Sequence, residues 1–150
     1  MPMIPEKDRQ KLRDVFAQKL TGDVTITYFT QHESILIVPG MECVSCKETR
    51  ELLEEVAELS DHIHLVVKDF VTDSDEAASM GIERIPAFVL EGKNKGRMRY
   101  FGIPAGYEFA TLIEDLIDAS TGEVDVSEQT AEALGHVDQD VRIQVFVTPT

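Results

Sequence analysis

Apolar positions recur along this chain in two periods, and the way the periods alternate predicts its elements. Between Glu6 and Leu20, the residues Leu12, Val15, Phe16, Lys19 and Leu20 fall at helical spacing, and TGD at 21–23 stops the run. This predicts an amphipathic lead-in helix. VTITYFT at 24–30 alternates and is rich in β-branched and aromatic residues, as a strand requires. ILIV at 35–38, closed by Pro39-Gly40, predicts a second strand joined to the first by the polar QHES turn. From Cys46 onward Leu52, Leu53, Val56, Ala57 and Leu59 follow a 3.6 period, with Glu51, Glu54, Glu55 and Glu58 between them, which predicts a helix. Next come a strand at 62–70 (HIHLVVKDF), a short helix at 74–81 closed by Gly81, and two strands within 85–103 around an EGKNKG turn. Phe109, Leu112, Ile113, Leu116 and Ile117 then share one face of a last long helix.

Strands alternating with helices, followed by a hairpin and a helix, imply an α/β fold. Its central mixed β-sheet is flanked by helices on both faces, with an N-terminal extra helix and an inserted hairpin strand. The tail VRIQVFVTPT (141–150) echoes VTITYFT: Val141 matches Val24, Ile143 matches Ile26 and Phe146 matches Phe29. An internal echo of this kind suggests a second copy of the domain. The expected organisation is therefore a first domain over 1–122, a linker with a short helix over 123–140, and the first strand of a second unit over 141–150. An unpaired strand at 141–147 is a template for another chain, so oligomerisation or a swapped terminus is expected.

Charge narrows the choice of partner. With 28 acidic against 14 basic residues the net charge is -14, and no basic cluster offsets it, so nucleic acid is not expected. No apolar run approaches the ~20 residues that span a bilayer, and the charged, proline-containing start lacks an apolar signal-peptide region. A soluble cytoplasmic protein, without a membrane partner, is expected. A chain of 150 residues buries most of a core without covalent staples, so its two cysteines are not needed as a framework.

Those cysteines, Cys43 and Cys46, stand at the head of the helical-period run that contains Leu52, Leu53 and Val56. A cysteine in a helix's first turn faces unpaired N–H groups and the positive end of the macrodipole, both of which favour thiolate. If the helix starts near Cys43, that sulfur feels this field, and Cys46 stands at i+3 within disulfide reach. The spacing thus supplies an attacking thiolate and a resolving thiol. Two other readings stay open. Free cysteines often pack in cores, although Glu42 and Lys47 flank this junction. Zinc needs four ligands, and His32, His62, His64 and His136 lack a zinc-finger offset from the pair; an iron–sulfur cluster would need two chains. The expected metal complement is none. GIERIPAF is the second notable piece, with Pro86 at the start of a strand, where an X-Pro bond can be cis or can be an edge proline in trans.

CVSC opening a helix, the acidic segment and short helix, GI..IP, the hairpin and the final helix together resemble the thioredoxin–glutaredoxin superfamily over about positions 24–120. The lead helix, YFGIPAGYEF and the terminal VDQDVRIQVFVTPT are similar to the N-terminal unit of tandem thioredoxin-fold protein disulfide oxidoreductases, which resemble glutaredoxins. The resemblance implies a thioredoxin-like fold over 1–122 and dithiol–disulfide exchange on client proteins, with Cys43 as nucleophile and Cys46 as resolving cysteine. It implies a cis Pro86 facing the pair, and an Ile85 main chain that pairs with an extended client segment. Glu33 and Lys68 are the candidates for proton transfer. No bound cofactor is implied; an external donor, a flavoprotein thioredoxin reductase or glutathione, would restore the dithiol. The rival expectation is a catalytically weak scaffold unit supporting a second redox unit.

Overall fold

In a computed structural model, residues 2–32, 40 and 42–148 are described. The elements run α1 (Glu6–Lys19), β1 (Val24–Thr30), α2 (Cys46–Ala57), β2 (Ile63–Asp69), α3 (Ser74–Ser79), β3 (Ala87–Glu91), β4 (Met98–Phe101), α4 (Tyr107–Thr121) and α5 (Glu128–Gly135). The four strands form one sheet in the order β2-β1-β3-β4. β1 runs parallel to β2 and antiparallel to β3, which is antiparallel to β4, so the sheet is mixed.

The sequence explains these elements locally. Pro5 precedes α1, where its missing N–H costs nothing, and its carbonyl accepts from the amides of Asp8 and Arg9. Glu6 and Asp8 lie in the first turn and Lys19 in the last, the arrangement the helix dipole favours. α4 ends at Gly122, whose φ of 69° suits a glycine cap; a Cβ there would meet the Lys93 carbonyl oxygen at 3.0 Å.

β1 is central and almost wholly buried. Its alternation sends Val24, Ile26 and Tyr28 into a core shared with Phe16 and Leu20 of the α1 region, Leu52, Leu53 and Val56 of α2, and Leu112 and Leu116 of α4. Phe29 joins a second cluster with Ala77 of α3, Ile82, Ala87 and Val89. Helices therefore cover both faces, three on one and α3 on the other. Across the first face Tyr28 pairs with Phe88 and Phe88 with Tyr100, the last two rings stacked at 5.1 Å.

The expected hairpin strand at 35–38, and with it Glu33, lies outside the described residues. The expected strand at 141–147 is not formed. Residues 141–148 join no ladder, and Val141, Ile143, Val145, Phe146 and Val147 are all exposed. Alternation marks a segment that can pair, but a strand exists only once a neighbour supplies hydrogen bonds, and no strand of this sheet does so. The linker helix is present as α5, capped by Ser127, whose side chain accepts from the Thr130 amide; α5 buries no residue.

Three carboxylates tie distant segments together. Glu55 of α2 accepts from the amides of Met3 (2.7 Å) and Ile4 (2.9 Å) and from Arg9 (3.1 Å), fixing the N-terminal segment to that helix. Burial pushes its carboxyl up, but these donors outweigh burial and hold it below its ordinary value. Asp69 at the end of β2 accepts from the amides of Thr72 (2.8 Å), Val71 (2.9 Å) and His32 (3.0 Å). The Thr72 amide is the main reason its carboxyl also lies low. Asp23 is lowered chiefly by its 2.8 Å contact with His62. For each, the folded-state pKa lies below the unfolded one, so the stabilisation is complete above the ordinary carboxylate range and is lost as pH falls through the folded values. Asp115, raised by burial, works in the opposite sense, because acid relieves the cost of its charge. The thermal midpoint is expected to be nearly flat from about pH 7 to about pH 5 and to fall on further acidification. Asp69→Asn should flatten part of that acid limb. A wild-type midpoint unchanged well into the acid range would contradict the assignment.

Candidate redox site

The site stands where β1 ends and α2 begins. Parallel pairing with β2 and antiparallel pairing with β3 bring the Thr30 end of β1 beside Asp69 and beside the start of β3. Both loops that carry the predicted residues emerge at this edge.

Cys43 and Cys46 are joined by a disulfide, with Cα atoms 5.4 Å apart. α2 starts at Cys46 rather than near Cys43, with Ser45 as its N-cap. Cys43 and Val44 thus precede the helix in a turn, and Cys46 is the cysteine at the first helical position. The helix predicted from Cys46 onward therefore starts where expected, and the condition under which Cys43 would itself lie at the helix start is not met, because the turn closed by the disulfide occupies 43–45. The two sulfurs are unequal in access. Cys43 is partly exposed, whereas Cys46 is buried at 5% exposure.

Two side chains from β1 and its end hold this turn. Tyr28 Oη donates to the Cys46 carbonyl at 2.7 Å in a buried contact. Gln31 Oε1, just beyond the strand, accepts from the Cys43 amide at 2.8 Å. Thr49, fully buried, donates its hydroxyl to the Ser45 carbonyl at 2.7 Å. Burial pushes the Tyr28 phenol above its ordinary pKa, so it stays protonated and donating. The sequence pattern turns Tyr28 inward but gives no sign of its partner, 18 residues away. It gives no sign of Gln31 at all.

Pro86 immediately precedes β3 and is buried, and its peptide bond with Ile85 is cis. The Pro86 carbonyl accepts from the Gly102 amide at 2.8 Å, and Arg84 stacks over the Phe101 ring at 4.8 Å, so β4 braces this loop. Ile85 is half-buried against the second core cluster. Lys68 lies opposite Phe29 on β2 and forms an ion pair with Glu76 of α3 at 3.0 Å. The hydrogen bond from Lys68 to Glu76 holds the lysine proton more tightly than usual, which suits structure better than proton transfer. A polar cleft of about 450 Å³ opens beside it, with Gln31, His32, Arg50, Asp69 and Thr72 among its walls. Among the described residues no cluster of three or more His, Cys, Asp or Glu is placed to hold a metal, and no helix is long and apolar enough to cross a membrane.

A four-stranded mixed sheet with a Cys-X-X-Cys disulfide at the head of the helix after its central strand defines a thioredoxin-type redox domain. The thioredoxin domain model matches residues 33–114, and the chain belongs to that family. Among solved structures it is similar to a protein disulfide oxidoreductase from Aeropyrum pernix K1, with 27% identity and a TM-score of 0.72, covering 88% of this chain and 54% of that one. It also shares its fold with the alkylhydroperoxide reductase AhpF of Enterococcus faecalis, with 24% identity and a TM-score of 0.69, covering 86% of this chain and 58% of that one. The chain thus spans a little over half the length of these two structures. No curated protein matches it. Family and disulfide together support thiol–disulfide redox chemistry in general terms.

Proposed function

We propose that the domain is a protein-disulfide oxidoreductase working through Cys43 and Cys46. The observation that carries this reading is the unequal access of the two bonded sulfurs, Cys43 partly exposed and Cys46 buried. In the reducing direction the Cys43 thiolate attacks a client disulfide, forming a mixed disulfide and releasing one client thiolate. Cys46 gives up its proton and attacks Cys43 Sγ, so that the second client thiolate leaves and the Cys43–Cys46 disulfide forms. Two electrons have passed to the client, and an external donor, thioredoxin reductase or two glutathione thiols that leave as glutathione disulfide, returns them to the pair. The loop at Ile85 and Pro86, presented at the same edge of the sheet, is the surface on which the client main chain would lie.

Titration against glutathione redox buffers, following the disulfide by mass shift, tests this. One reversible two-electron transition is expected, roughly between -270 and -180 mV, the range from thioredoxin to protein disulfide isomerase. A disulfide that neither forms nor opens across the buffers would overturn the reading. A second reading, a catalytically weak scaffold for another redox unit, is favoured by the apolar stripe at 141–147, whose residues are exposed and pair with none of the four described strands. It requires a Cys43 pKa near the ordinary thiol value of about 8.5 and slow reduction of insulin disulfides.

A further inference from the structure

We infer that Tyr28 and Gln31 are positioning residues of the redox pair: the central strand and the residue that ends it grip the main chain of each cysteine and keep the opened dithiol in register to close again. The inference rests on the oxidoreductase reading above. It goes beyond that reading by assigning the control of closure to β1.

The contacts divide cleanly. Tyr28 holds the carbonyl of Cys46, and Gln31 holds the amide of Cys43. Tyr28 belongs to β1, a strand buried along almost its whole length and paired on both sides, and Gln31 is the residue just beyond it. Cys43 needs such support because it lies outside the helix. Its main-chain tie within the turn, from the Cys46 amide to the Cys43 carbonyl, is long at 3.4 Å. While the sulfurs are bonded, the disulfide itself fixes the turn. Once they are opened, the segment from 42 to 45 gains freedom relative to the start of α2 unless Cys43 and Cys46 are both held to one frame, which Gln31 and Tyr28 supply. A restraint acting mainly on the dithiol lowers what that form gains on opening and raises the effective concentration of one thiol at the other. The Tyr28 hydroxyl gives its proton to a carbonyl, so that proton is not on offer to either sulfur. Its part is geometric.

Closure by oxidised glutathione balances as dithiol plus glutathione disulfide giving the Cys43–Cys46 disulfide plus two glutathione thiols. Without either grip, the dithiol gains freedom that the disulfide form cannot share, and closure becomes less favourable. Tyr28→Phe and Gln31→Leu are each expected to lower this equilibrium constant three- to tenfold, a tenfold fall being about 30 mV in the oxidising direction. The pH dependence of Cys43 alkylation should keep its shape in Tyr28→Phe, as befits a group outside the proton path. Gln31 is exposed, so Gln31→Leu leaves the core intact even if Tyr28→Phe loosens it.

The measurement is the glutathione titration of wild type and both variants in the full chain. Equilibrium constants within twofold of wild type in both variants overturn the inference while leaving the oxidoreductase reading standing. A shift in only one variant overturns the paired grip. A wild type with no transition overturns the oxidoreductase reading itself.

Discussion

Cys43→Ser is expected to reduce the turnover of insulin disulfides to the buffer background, a loss of roughly 10³-fold or more, because the nucleophile is gone and Cys46 cannot replace it. Cys46 is 5% exposed and sits inside the first turn of α2, so a folded client cannot bring a disulfide onto its sulfur. Cys46→Ser has a different signature. Attack by Cys43 still occurs, the resolving step does not, and the protein accumulates as a mixed disulfide visible by mass. Similar slow residual activity in both variants would show that either sulfur can attack and that Cys46 is open to clients. Trapping by Cys43→Ser instead of Cys46→Ser would reverse the assigned roles.

Ser120→Ala is the structural change expected to cost most for its size, about 2–3 kcal/mol. The Ser120 hydroxyl is fully buried near the end of α4, where its oxygen accepts from the amides of Thr21 (2.8 Å) and Gly22 (2.9 Å) and its proton goes to the Gly22 carbonyl (2.9 Å). One hydroxyl thus satisfies three main-chain groups of the turn between α1 and β1, about a hundred residues away in sequence. Alanine deletes a single oxygen and leaves two donors and an acceptor without partners in a part-buried turn. The thermal midpoint should fall by about 10 °C, measured on the oxidised protein so that the disulfide is constant. A drop under about 2 °C would mean that water replaces the hydroxyl without cost.

Period alone made much of this fold legible. The apolar spacing of Leu52, Leu53 and Val56 and of Leu112, Ile113 and Leu116 identified the faces of α2 and α4 that are now found in the core. The alternation in VTITYFT identified the strand that became the centre of the sheet. Period failed where structure depends on something other than side-chain burial. CVSC contains no repeating apolar position, so spacing alone could not say whether Cys43 lies inside the helix; in the structure residues 43–45 form the turn closed by the disulfide and the helix begins at Cys46. Residues 141–147 carry a strand-like stripe, yet a ladder needs a neighbour that no local pattern can supply. The grips on the cysteines were hidden for a further reason. A tyrosine read as core and a glutamine read as turn each reach a main-chain group more than ten residues away, and such bonds leave no trace in composition or spacing.

The Tyr28 contact has a spectroscopic consequence. The chain contains three tyrosines and no tryptophan, so its intrinsic emission comes from phenols alone. Tyr107 is largely solvated, and Tyr100 stacks on Phe88 from the edge strand β4, two strands from β1. Of the three, Tyr28 has its hydroxyl bound to the main chain of a redox cysteine, Cys46 at the start of α2. A fluorophore thus sits at the switch, and its emission offers a label-free optical readout of the state of the pair in real time.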